Sequence, residues 1–228
     1  MDSEGTYGAP RIHAALAAAG IRTSRKRVAR LMKADKLKAR ASRIYRAQPG
    51  NWAFYSSIPN RTLKKATSRP DQIWVGDVTY LKVAGRWRFL AVVMDRHSRR
   101  ILGWSLGIQR DLRLTLKALN EAIARRQPPR GLIFHSDRGI EYTANVYRAR
   151  LAAHGIVQSA NRPREITDNA FMESFWHSLK SELTDDRRFD TDQDLSAALS
   201  RFLCRYNNRR LHSALGYRTP IDYERLAA

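Results

Sequence analysis

Three apolar, β-branched runs in close succession, over residues 73–83, 86–94 and 99–106, constrain this chain more than any other feature. Only Ala84-Gly85 separates the first pair and Asp95-Arg96-His97-Ser98 the second, and turns this short join antiparallel neighbours. The pattern then alternates. A helix is predicted over 112–126 with Leu112, Leu116, Leu119 and Ile123 on one face, a short buried strand over 131–135, a helix over 144–154 and a strand over 156–159. Two long helices over 168–184 and 192–206 close the chain's second part. This order makes a mixed α/β layer fold.

Ahead of that frame, residues 10–19 read as a short helix with Pro10 in its first turn and Gly20 at its end. Ser24 is placed to cap a second helix running to about residue 37, with Val28, Leu31 and Met32 on the inner face. Arg25, Lys26, Arg27, Arg30 and Lys33 fill its other faces, so the pair reads as a helix-turn-helix whose second helix enters a DNA groove. A solvated basic hairpin is the plainer alternative. Residues 39–70 lose periodicity and collect Pro49, Gly50, Pro59, Asn60 and Pro70, which predicts a basic linker. Trp52, Phe54 and Tyr55 within it are expected to pin the linker onto the next domain, with base stacking as the other reading.

The 228 residues carry 42 Lys and Arg against 21 Asp and Glu, a formal charge of +21. Such an imbalance implies a polyanionic partner, nucleic acid before membrane, with a ribosome-like basic protein as the bland reading. The excess is uneven: residues 1–69 hold 16 basic and 3 acidic residues, the remainder 26 and 18. A single cysteine, Cys204, excludes an internal disulfide and a cysteine-based zinc site; beside Phe202 and Leu203 it is expected as a buried thiol. The polar start Met-Asp-Ser-Glu-Gly has no signal-peptide pattern, and no apolar run is long enough to span a bilayer, so a cytoplasmic location is expected.

Chemistry concentrates on three acidic residues. Asp77 lies mid-strand among apolar neighbours on the face of Val75 and Thr79, Asp137 lies just past a short strand, and Glu173 lies on a helix, with 35 residues between the last two. An interior carboxylate is costly unless paired, hydrogen-bonded or metal-bound. A salt bridge to one of the many arginines is the alternative for each alone. Three such groups on three elements favour oxygen ligation of a hard divalent ion, and two such ions about 4 Å apart serve phosphodiester chemistry. Lys180, two turns beyond Glu173 on the same face, would present a phosphate-binding cation, and Phe171, Phe175 and Leu179 would face the core. Asp168 is expected to cap the Glu173 helix. His135 is expected to orient the Asp137 loop or touch DNA. No nucleophile elbow, Walker A motif, dinucleotide fingerprint or zinc-finger spacing occurs.

Trp74-Val75-Gly76-Asp77-Val78-Thr79-Tyr80, His135-Ser136-Asp137-Arg138-Gly139-Ile140-Glu141-Tyr142, and Asp168-Asn169-Ala170 through Glu173-Ser174-Phe175 with Leu179-Lys180-Ser181-Glu182 occur in that order. With the tail Tyr206-Asn207-Asn208-Arg209-Arg210-Leu211-His212 and Leu215 to Pro220, they closely resemble the catalytic, second-reading-frame transposases of bacterial insertion sequences. Those belong to the DDE transposase and retroviral integrase superfamily. Tyr7-Gly8-Ala9-Pro10-Arg11-Ile12 and Arg27 to Met32 resemble its N-terminal helical module.

The resemblance implies a ribonuclease H-like mixed-sheet core over 71–228 with C-terminal helices, a helix-turn-helix-like module over 1–38 and a linker over 39–70. It implies Mg²⁺-dependent strand cleavage and transfer, Mn²⁺ substituting, with Asp77 touching both ions and Asp137 and Glu173 one each. Lys180 would hold DNA phosphate. The implied partners are transposon-end and target DNA, further copies of the chain on DNA, and the family's first-reading-frame protein, in a nucleoid-associated setting and without a membrane. The loop Arg162-Pro163-Arg164-Glu165-Ile166-Thr167 replaces a Gly-Asn-containing loop of many relatives, so a stiffer loop is expected. A nuclease without strand transfer and a DNA-binding regulator with a silent core are the rival readings.

Overall fold

The computed structural model describes residues 5–37, 58–163, 165–185 and 187–226. Trp52, Phe54 and Tyr55 therefore lie outside the described residues. Two helices open the chain, α1 (Ala9–Ala18) and α2 (Arg25–Ala34), with the Ser24 hydroxyl accepting from Arg27 N at 3.2 Å as the N-cap pattern predicts.

Strands β1 (Ile73–Val83), β2 (Arg86–Asp95) and β3 (Ile101–Gly107) form an antiparallel meander. The two-residue turn Ala84-Gly85 has both residues at positive φ, as the twist of a tight hairpin demands. Helix α3 (Leu112–Arg126) follows, then β4 (Ile133–Ser136), α4 (Ile140–Thr143), α5 (Asn145–Ala153) and β5 (Val157–Ala160). The sheet order is β3-β2-β1-β4-β5, with β4 parallel to both β1 and β5. The central strand β1 is thus covered on both faces. Ile73 and Val75 face a layer built from α6 (Ala170–Leu179) and α7 (Asp192–Asn208), through Met172, Phe175, Leu199 and Phe202. Trp74 faces the other layer, where Leu119 of α3 and Tyr147 of α5 pack with Phe134 of β4. A short helix α8 (Pro220–Arg225) ends the described chain.

Four expectations are corrected. Residues 58–70 run along the core edge: Ile58 and Thr62 are buried, Arg61 N donates to Ser159 Oγ at 2.9 Å, and Ala160 N donates to Pro59 O. The helix expected over 168–184 is a 3₁₀ turn (Ile166–Asn169), α6 and a π-turn (Lys180–Thr184) in succession. Asp168 caps nothing. It accepts instead from Arg162 N at 2.7 Å, the Arg162 guanidinium at 2.9 Å and Asn60 Nδ2 at 2.8 Å, which hold its pKa down to about 2 against burial. Cys204 is exposed, because a residue one or two beyond Phe202 and Leu203 has turned away from their buried stripe.

The N-terminal segment is fastened to the C-terminal helix and tail by side-chain hydrogen bonds, among them Arg205 Nη1 to Thr6 Oγ1 at 3.5 Å. The buried Tyr7 hydroxyl donates to Arg209 O at 3.2 Å and accepts from Leu211 N at 2.8 Å.

Candidate active site

The register of β1 against β4 pairs Gly76 with Ser136, so Asp77 and Asp137 each stand one position further along these neighbouring strands. Gly76 is small because the Phe134 ring of β4 comes within 2.5 Å of where its Cβ would stand. Asp77 meets two neutral donors. Val78 N donates to Oδ1 at 2.8 Å, and Trp176 Nε1 of α6 donates to Oδ2 at 2.7 Å. Burial first and the Asp137 charge second push the Asp77 carboxyl up to about 7, against those two hydrogen bonds and the Arg110 charge.

Asp137 is held from its own loop and from across the cleft. Gly139 N donates to Oδ1 at 2.9 Å, and Arg110, in the loop between β3 and α3, lies 3.3 Å from Oδ2. The same guanidinium meets the buried Glu141 carboxylate at 2.6 Å. Burial alone would lower Arg110, but the Glu141 and Asp137 charges outweigh it and raise its pKa. Gly139 leaves room for this arrangement: a Cβ there would stand 2.7 Å from Glu141 Oε1. The roles of Arg110, Glu141 and Trp176 were not legible in the sequence. Trp176 alone left a signal, standing one turn beyond Glu173 on the same helix.

Glu173 is exposed on α6, and among the described residues no three of His, Cys, Asp and Glu lie close enough to hold a metal ion. The structure brings Asp77 and Asp137 together and leaves Glu173 apart from them, although its helix supplies Trp176 to Asp77 and the turn before it supplies Asn169 Nδ2 to Gly76 O at 3.4 Å. The donor chemistry of the aspartate pair fits a hard divalent cation. Both are carboxylates, and Asp77 is raised first by burial and second by the Asp137 charge, a strain that a cation between them would relieve. Lys180 stands at the C-terminal end of α6, its ammonium 4.8 Å from the Tyr80 ring centroid. Burial lowers its pKa, while the Asp185 and Asp77 charges oppose that shift.

The Integrase core domain family matches residues 67–165, and a second family of that description matches 154–220; the HTH-like domain family matches 1–45. The transposase for insertion sequence element IS904 of Lactococcus lactis subsp. lactis (strain IL1403) is 36% identical over 98% of this chain and 89% of its own length. Transposase InsF for insertion sequence IS3A of Escherichia coli (strain K12) is 35% identical over 97% of this chain and 78% of its own. The chain belongs to the insertion-sequence transposase family. The HTLV-2 integrase catalytic core domain, solved in complex with magnesium in a trimeric form, matches it with a TM-score of 0.54 at 20% identity, over 68% of this chain and 97% of that one. That likeness concerns the fold, which is the ribonuclease H-like fold of integrase cores.

In this transposase chain, Arg25, Lys26, Arg27, Arg30 and Lys33 are all exposed on α2, around the single buried Val28. His135 is buried, with Nδ1 at 2.9 Å from Ser159 Oγ on β5. Burial pushes it down to about 4, so it is a neutral core histidine that ties β4 to β5, and a direct touch on DNA is ruled out in this conformation. Among the described residues no helix is long and apolar enough to cross a membrane.

Proposed function

We propose that this transposase is a DDE-type polynucleotidyl transferase that cleaves and joins DNA strands with Mg²⁺, Mn²⁺ substituting. The observation that carries the reading is the Asp77–Asp137 pairing at the β1–β4 edge, buttressed by a tryptophan from the helix that bears Glu173. Asp77 would belong to both ions, Asp137 to one and Glu173 to the other. When bound, the metal pair supplies charge neutralisation at the attacking and leaving oxygens. Trp176 and Val78 N fix the Asp77 carboxylate in orientation without neutralising it. Arg110 serves as counter-charge to Asp137 and Glu141 and would yield Asp137 as the cleft fills. Glu173, one turn before Trp176, would join the pair as DNA closes on α6. Lys180 would hold a phosphate beside the cleft, and the α2 cations would hold the duplex.

In the first step water attacks a phosphodiester at the element end. A new P–O bond forms, the old one breaks, and a 3′-hydroxyl is released. In the second that hydroxyl attacks a phosphodiester of another strand, exchanging one P–O bond for another. The bond count is conserved, so neither ATP nor a covalent enzyme intermediate is needed. The work is done in the cytoplasm on transposon-end and target DNA, by more than one copy of the chain, because two ends must be held together. The family's first-reading-frame protein is a candidate partner in choosing the ends.

The test incubates purified protein with labelled element-end DNA and Mg²⁺ or Mn²⁺. Joined products support the reading. Nicks alone would make it a nuclease, and a shifted band without chemistry a DNA-binding regulator.

A further inference from the structure

A second gathering of like charge lies on another flank of α6, away from Asp77. A groove of about 290 Å³ is lined by Arg11 of α1, Arg99 of the β2–β3 turn, Ser174 and Ser178 of α6, and Arg210 and His212 of the tail. Helical periodicity separates the two flanks: Glu173, Trp176 and Lys180 recur along one, Ser174 and Ser178 along the other, and Met172, Phe175 and Leu179 fill the core between them.

The three arginines are not equally matched. Arg210 meets Glu182 through Nε at 2.8 Å and Nη2 at 2.6 Å, and its Nη2 also reaches Ser178 Oγ at 3.0 Å. Arg11 and Arg99 take no part in any ion pair among the described residues, and their guanidinium groups lie over aromatic rings instead, Arg11 5.7 Å from the Tyr7 centroid and Arg99 3.9 Å from that of Phe171. Burial lowers both pKa values, with the Arg210 charge adding to the effect on Arg11 and the Arg96 charge to that on Arg99.

Two further features point to a ligand. Arg99 is held at φ +64°, a left-handed turn position where glycine or asparagine would be the less strained choice. His212 is only 8% exposed, its ring edge-on to Tyr206 at 4.6 Å, and its buried Nε2 in the groove wall has no hydrogen-bond partner. Burial and the Arg210 charge push the ring down to about 3, so it stands neutral, the groove's positive charge comes from its arginines, and the unpaired nitrogen is a polar atom that the fold alone does not satisfy.

We propose that this groove is a binding site for a backbone phosphate of DNA, separate from the cleft at Asp77. Guanidinium forks match phosphate oxygens, and the serine hydroxyls add donors of the same sense. The preference for an anion stands on the groove itself, whereas DNA as its source rests on the proposed function. Since α1, α6 and the tail all contribute to the wall, an occupied groove holds the N-terminal module, the glutamate-bearing helix and the tail in one arrangement.

The test is the double variant Arg11→Gln/Arg99→Asn, asparagine being suited to the left-handed turn. Duplex DNA binding is followed by fluorescence anisotropy in EDTA across a salt series, with Arg125→Gln/Arg225→Gln as a charge-matched control. The groove variant is expected to flatten the slope of log K against log salt by about 1, one phosphate contact, and the control to leave it unchanged. The groove variant should melt no lower than the parent protein, since neutralising two arginines relieves repulsion. Inorganic phosphate should raise the melting temperature of the parent and not of the variant. An unchanged slope in the groove variant with no stabilisation of the parent by phosphate, or an equal change of slope in the control, overturns the site. Stabilisation by phosphate with no change in slope overturns DNA as the occupant. Because EDTA removes the chemistry, a flattened slope in a protein that joins no strands would keep the groove and defeat only the catalytic reading.

Discussion

Glu224 and Asp77 are both carboxylates set against the same sheet, the first buried and the second half-buried. Glu224, on α8, is met by Arg100 at 2.6 Å, by Arg126, and by the Ser98 hydroxyl at 2.7 Å; Arg126 also lies 3.3 Å from Asp71. Its charge is matched inside the fold, and the result is a clasp that pins the last helix to the β2–β3 turn. Asp77 meets a backbone amide and an indole, neither of which carries charge, and shares its cleft with Asp137. Arg110 is engaged with Asp137 and Glu141 and offsets the acidity only in part. A carboxylate that serves the fold alone is neutralised by the fold. One left short of counter-charge, at a cost to stability, marks where a ligand of opposite sign belongs.

The contrast can be broken most forcefully at the cleft. Asp77→Asn, Asp137→Asn and Glu173→Gln are each expected to lower strand joining by at least about 10³-fold while salt-sensitive DNA binding survives. Substantial joining by any of them would falsify the catalytic assignment. The reverse holds at the clasp. Glu224→Gln should cost about 3 kcal/mol in chemical denaturation, as expected when a buried pair loses one partner, with joining per folded molecule retained. A large catalytic loss in folded Glu224→Gln protein would erase the distinction.

Metal should separate the sites next. Mn²⁺ at about 100 times its Kd is expected to stabilise the protein by about 2.7 kcal/mol, and to do nothing for Asp137→Asn. Equal stabilisation of both would place the ion elsewhere. The smallest effect is one of pH. In metal-free protein the folded state keeps the Asp77 proton between the ordinary carboxylate value and about 7, whereas the unfolded state has released it. That residue's contribution therefore falls as pH rises through this window and is constant above it. The melting temperature of the parent relative to Asp77→Asn should accordingly drop between pH 4 and pH 7; a flat difference would mean that the cleft is better compensated than its geometry indicates.

Much of the frame was legible because it is locally encoded. Apolar, β-branched runs and the Ala84-Gly85 turn set β1 and β2, and the leucine stripe set α3 over the residues observed. Features set by distant partners were not. Asp168 has the look of a cap in sequence, yet Arg162 and Asn60 claim it in space. Residues 58–70 have a linker's composition, but their backbone finds donors and acceptors along β5. For the cleft, the sequence singled out three carboxylates and Lys180, and of the carboxylates the structure brings Asp77 and Asp137 together. It could not show that Trp176 and Arg110 would be their neighbours, since that depends on how β1 and β4 align and how α6 lies across them. Nor could it show that Glu173 would stand apart from the aspartates while its helix already touches one of them.

The Tyr7 bond to Arg209 and Leu211 has a consequence for how the molecule is made. Its partners lie more than 200 positions downstream, so at ordinary elongation rates the first helix leaves the ribosome roughly 10–40 s before its dock exists. During that interval the Tyr7 hydroxyl has neither of these partners. A chain interrupted before residue 209 lacks both partners of this hydroxyl, so the linked form of the molecule is reserved for chains translated past Leu211.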